Sequence, residues 1–242
     1  MVFIIFIKNI NMQFTNHNFF NKKGLTLLVL LFAFLSNPLL SQNRHPVPQE
    51  FGNNPDISFY PIGWSKNGKF AYIFLKPSGM RGSYYNLIIQ NVKSDKILVD
   101  IDLEQDRGYG YNSYEIQGVW KETFRKFEDI LDRHDIVPQR YSNRFRDIST
   151  KNNYEYKLSY REKCNEDGCY GFSLKVYNED GSKRVTDVKL GSIDNIRFFG
   201  AIKSPFENRI VIITQYNGFD WQGDPDGISL YLSGCHLSAG FR

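Results

Sequence analysis

At 242 residues the chain is long enough for one large domain or two small ones. Aromatic residues make up 16% of it, with 20 Phe and 15 Tyr, and rings of that kind suit half-buried pleated strands. The formal charge of +4 is concentrated at the start, because residues 1–41 hold Lys8, Lys22 and Lys23 and no acid; of 30 Lys and Arg, 27 then remain against 26 Asp and Glu, which excludes the strong basic footprint of a nucleic-acid binder.

The first element is a leader. In "NKKGLTLLVLLFAFLSNPLLSQ" (Asn21 to Gln42) two lysines precede an apolar core, Leu25 to Leu35, and Asn37-Pro38 breaks it before the small Ser41. That order is the order of a secretory signal peptide. The apolar core falls short of the ~20 residues a spanning helix needs. Residues 1–41 are therefore read as a signal peptide cut near Ser41, leaving a secreted or periplasmic chain with no membrane span. An uncleaved anchor that borrows Leu39 and Leu40 is the alternative, and the start codon stays open between Met1 and Met12.

Residues 42–56, rich in Pro, Asn and Gly, read as a flexible lead-in to a single β-rich domain, 57–242. Its first meander, 57–103, contains strands at Ile57–Ile62, Lys69–Leu75, Tyr85–Val92 and Lys96–Leu103. Lys66-Asn67-Gly68 and "KSDK" (Lys93 to Lys96) supply tight polar turns. Alternation in "ILVDID" places Ile97, Val99 and Ile101 on one face. A Gly/Tyr-rich loop, Asp106 to Glu115, precedes a helix over 117–135. There Trp120, Phe124, Phe127 and Leu131 share one face, and Pro138 stops continuation. This helix reads as a lid over a sheet, with a membrane-surface helix as the alternative. The second meander, 153–242, has strands at Tyr154–Lys163, Tyr170–Tyr177, Arg184–Leu190, Ile196–Ile202, Arg209–Tyr216 and Ile228–Leu232. "NEDG" occurs twice, at Asn165–Gly168 and Asn178–Gly181, each where a hairpin should turn.

"WSKNGKFAYI" (Trp64 to Ile73) resembles the S-P-D-G-K strand signature of TolB-like and WD40-like propeller blades. Ser65, Gly68, Lys69, Ala71 and Tyr72 match, and Asn67 stands for Asp. "KSPFENRIVII" (Lys203 to Ile213) resembles a diverged second copy with two extra turn residues. Uncharacterised secreted bacterial proteins carry similar strands. The resemblance implies an exported, blade-like β fold and no particular activity. Blades of roughly 40–45 residues leave no room for a full ring. The fold class expected is mainly β: two packed antiparallel meanders, one amphipathic helix between them in sequence, and no closed propeller.

Chemistry is sparse. Cys164 and Cys169 flank the first N-E-D-G, so a disulfide across the turn is expected in an oxidising compartment; free thiols, or a metal site with Cys235 and His236, remain open. Neighbours in sequence such as Cys235-His236 do not by themselves make a nucleophile–base pair. In "NGFDWQGDPDG" (Asn217 to Gly227), Asp220, Asp224 and Asp226 are oxygen donors suited to calcium, and Trp221 can stack on a ligand; the same text is a strong turn. Tyr109 and Tyr111 join them as candidate contact residues. Arg140, Arg144 and Arg146 offer an anion site or a solvated loop. No phosphate-binding glycine loop, H-E-x-x-H or G-x-S-x-G is present, and no cofactor is expected. The leading reading is an exported, non-catalytic domain binding a protein or glycan of the cell envelope. The alternatives are a hydrolase using carboxylates of the 220–226 loop and a calcium or small-ligand module.

Overall fold

The computed structural model describes residues 47–52, 57–77, 83–103, 116–141, 156–219 and 225–242, all within the unit His45–Arg242. The expected leader lies outside them, as does the 106–115 loop. The described strands form two antiparallel five-stranded sheets, neither closed into a barrel or propeller. The first contains β1 (Phe59–Trp64), β2 (Lys69–Pro77), β3 (Ser83–Asn91) and β4 (Lys96–Asp102). After helix α1 (Ile116–Arg133), the short β5 (Val137–Pro138) returns beside β1, giving the order β4-β3-β2-β1-β5. The second sheet is a plain meander of β6 (Lys157–Asn165), β7 (Gly168–Asn178), β8 (Gly181–Lys203), β9 (Arg209–Phe219) and β10 (Pro225–His236).

The aromatic run of β2 divides between two cores. Ala71 and Ile73 join Leu87, Ile89, Trp120, Phe127 and Leu131 beneath the helix. Phe70, Tyr72 and Phe74 join Trp64 and Phe59 on the other face, against Val211, Ile213 and Leu232 of the second sheet. The first sheet is thus the middle layer of three, which is why all six residues of β1 are buried. The helix is the lid its apolar face implies; Phe124's side chain lies outside the described residues. Among the described residues, no helix is long and apolar enough to cross a membrane.

Turn chemistry sets the hairpins. In both N-E-D-G turns the Asn side-chain oxygen accepts from the Asp amide two residues on, at 3.1 Å for Asn165 and 3.0 Å for Asn178. The closing glycine takes positive φ in each, 121° at Gly168 and 134° at Gly181. The β1–β2 and β8–β9 turns also share a device. The Ser65 amide donates to the Lys69 carbonyl at 2.9 Å, and the Ser204 amide to the Arg209 carbonyl at 2.8 Å. Each serine hydroxyl also accepts from turn amides. The second turn is longer by one residue rather than two.

Two strand expectations are corrected. Arg184–Leu190 and Ile196–Ile202 belong to one 23-residue strand, β8. Its first part pairs with β7 and its second with β9. Positive φ at Gly191 and Asn195, and irregular pairing near Asp194–Arg197, let the strand bend without ending. In β4, Val99 opposes Ile89 but Ile97 opposes Gln90, so Leu98 is bulged out of register. Val99 and Ile101 pack under the helix, whereas Ile97 is carried to the face turned toward the second sheet.

The sheets dock through backbone. Gln90 donates to the Leu232 carbonyl at 2.9 Å, and the Gly234 amide donates to the Asp95 carboxylate at 2.7 Å. A Cβ on Gly234 would sit 1.7 Å from the Val92 carbonyl oxygen, so only glycine permits this approach.

Candidate functional site

Two cavities stand out among the described residues. The first is a slot of about 180 Å³ opening where the edge strands β4 and β10 face one another across the two sheets. Tyr72 and Phe74 come from β2, Ile88 from β3, Ile97 from β4, Tyr216 from β9, and Ser229 and Leu230 from β10. Strand alternation puts Tyr72 and Phe74 on this side, and the bulge at Leu98 adds Ile97. Burial first, then the nearby Asp100 carboxylate, hold the Tyr72 hydroxyl protonated far above the usual range. Next to the slot, Ile97 is 51% and Leu98 38% exposed, so an apolar patch adjoins it on an edge strand. Asn86, buried on the same face, donates to Asp100 at 2.5 Å while its own carbonyl oxygen has no partner.

The second cavity, of about 240 Å³, lies along the outer edge of β1 beyond its two-residue pairing with β5. Val47, Pro48, Pro61 and Ile62 form its apolar walls, and Gln49, Gln139, Arg140 and Tyr141 bring polar groups. The Gln139 amide is tied to the Ile62 carbonyl at 2.9 Å, which fixes this segment against β1. The buried Tyr141 hydroxyl and the Trp64 indole N–H lie together, yet neither makes a well-formed hydrogen bond. Burial pushes the Tyr141 hydroxyl well above its ordinary pKa. One cation and two side-chain amides with no lining carboxylate can hold a hydroxyl-rich or acidic ligand.

Of the residues singled out from the sequence, Asp220, Trp221, Asp224, Tyr109 and Tyr111 lie outside the described residues, as do Arg144 and Arg146. The backbone of Asp226 is within β10, its side chain outside them. The β9–β10 hairpin that carries this loop supplies Tyr216, Ser229 and Leu230 to the slot. Arg140 lines the polar cavity. Cys164 and Cys169 oppose one another across the turn with Cα atoms 3.9 Å apart and are joined by a disulfide. Cys235 is wholly buried among Phe172, Ile210 and Ile212, and its thiol pKa is raised by that burial. The His236 ring instead faces Ser238, so the thiol and imidazole do not meet. The slot residues carried no signal in the sequence beyond strand alternation, because they converge only when the sheets pack. No family model matches the chain, and no match was found among curated proteins or solved structures.

Proposed function

We propose that this protein is an exported, non-catalytic binding domain whose ligand is a protein of the cell envelope. The observation that carries the reading is the apolar slot between the β4 and β10 edges, with Ile97 and Leu98 exposed beside it. An extended partner segment adds backbone hydrogen bonds at the edge of a sheet and places a side chain in such a pocket. The β9–β10 hairpin that lends Tyr216, Ser229 and Leu230 to the slot is the one that the 220–226 segment interrupts in sequence. Export rests on the leader-like residues 21–42, and the Cys164–Cys169 disulfide fits an oxidising compartment. The blade-like strand text of residues 64–73 is in keeping with this location.

The polar cavity favours a second reading, an envelope glycan held by Gln49, Gln139 and Arg140. Binding of the purified chain to a washed envelope fraction separates the two. Protein recognition predicts loss after protease treatment of the fraction, survival after periodate, and loss with Leu98→Asp. Glycan recognition predicts the reverse treatments' effects and loss with Arg140→Ala. Binding unaffected by Leu98→Asp would overturn the leading reading.

A further inference from the structure

The first hairpin of the second sheet carries an arrangement that neither cavity uses. Glu162 and Cys164 lie two residues apart on β6, and Cys169 opposes Cys164 from β7. One oxygen of Glu162 and the two sulfurs all lie within 4.8 Å of one another. The sulfurs are close because they are bonded, but the 3.9 Å between Glu162 and the Cys169 sulfur is near the roughly 3.5–3.8 Å that separates oxygen and sulfur ligands of one tetrahedral zinc ion. Glu162 and Cys164 are exposed and Cys169 half-buried, which leaves the group open to solvent.

The carboxylate's position is not explained by the disulfide. Glu162 stands 3.9 Å from the Cys169 sulfur, and a disulfide sulfur has no proton to donate. The neighbouring Lys163 is paired with Asp187, and among the described residues no cation pairs with Glu162. The turn itself is held by the Asn165–Asp167 contact, independently of the sulfur bond.

We propose that, on reduction, Cys164, Cys169 and Glu162 form a binding site for a thiophilic divalent cation of the zinc class. A dithiol reductant supplies two electrons and two protons: the Cys164–Cys169 bond opens to two thiols while the reductant closes to its own disulfide. Metal binding then releases both thiol protons to solvent. Two thiolates and one carboxylate hold the ion, and water takes the fourth tetrahedral position. Rotation about χ1 at each cysteine separates the sulfurs to the distance a bridging ion needs, with the hairpin backbone unchanged. The disulfide thereby gates the site: closed, it leaves only one oxygen ligand. The buried Cys235 takes no part, since it faces the core.

The test is a cobalt and zinc titration of the whole chain, oxidised and reduced, with the reductant removed under nitrogen. Cobalt reports tetrahedral thiolate ligation through its visible bands, and zinc then displaces it. The reduced protein is expected to bind one equivalent with thiolate charge-transfer absorption, and the oxidised protein none. Cys235→Ser should leave the titration unchanged. Glu162→Gln should weaken binding by more than the roughly 10–100-fold typical of losing an outer partner. Equal behaviour of oxidised and reduced protein would overturn the site without any substitution being needed. So would undiminished affinity in Glu162→Gln, which would remove the carboxylate from the ligand set. Circular dichroism before and after reduction checks that the hairpin's sheet survives; loss of the sheet signal would also count against the proposal, which requires a preserved hairpin.

Discussion

Asp95 shows how one side chain joins two layers at a cost. It sits at the β3–β4 turn with φ of 56° and accepts the Gly234 amide at 2.7 Å. Burial raises its carboxyl above the ordinary value of 3.8, a shift that the Gly234 bond and Arg209 only partly offset. The folded state therefore holds this proton more tightly than the unfolded chain. Between about pH 4 and the raised folded value, stability falls as pH rises, the opposite of a salt-bridged acid. Asp95→Asn keeps an oxygen for Gly234 and removes the buried charge. Urea midpoints should thus favour the variant more at pH 7 than at pH 4; a pH-independent difference would contradict this account. Cys235 makes the complementary case. Its burial and raised pKa predict no thiol reacting natively, one in denaturant, and three after reduction. A second thiol in oxidised, denatured protein would deny the disulfide.

At the scale of elements, α1 ends by a bonding pattern that a glycine usually provides. The Ile136 amide reaches the Leu131 carbonyl at 3.0 Å and the Asp135 amide reaches Asp132 at 2.9 Å, with Asp135 at φ of 58°. Ile136 and Leu131 close the end by sharing the core under the helix. Left-handed backbone costs an L-residue up to ~1–2 kcal/mol, so Asp135→Gly should raise stability by about 0.5–1 kcal/mol in urea unfolding. A loss of stability would mean that the Asp135 side chain contributes a contact of its own. Local chemistry of this kind was largely legible. Lys66-Asn67-Gly68, "KSDK" and both N-E-D-G turns announced hairpins, and the disulfide was expected because cysteines flank the first N-E-D-G. The spacing of Trp120, Phe127 and Leu131 announced the helix and its buried face. What stayed hidden depends on partners distant in the chain. β5 is two residues long and exists only because β1 offers an edge. The bulge at Leu98 and the continuity of β8 are decided by neighbouring strands, not by their own alternation. The slot was hidden for the same reason, since its walls come from three strands of one sheet's face and the facing hairpin.

The whole molecule rests on close docking of the two sheets. Gly234 is a point of close approach, because any side chain there would collide with the Val92 carbonyl. Gly234→Ala should therefore cost about 3 kcal/mol, at the upper end of overpacking penalties, and should also open the interface that shapes the slot. A cost below 1 kcal/mol in urea unfolding would show that β10 can withdraw from the β3–β4 turn without loss. Sheet docking brings the β4 and β10 edges together, and the partner is proposed to bind there. The most direct test places a photo-crosslinking amino acid at Leu98 in the protein made in its native cell, with Lys175 on β7 as the control position. The account predicts a discrete crosslinked protein species at Leu98, absent at Lys175 and absent when Ile97 is also changed to Asp. Crosslinks of equal yield at both positions, or none at Leu98, would contradict it.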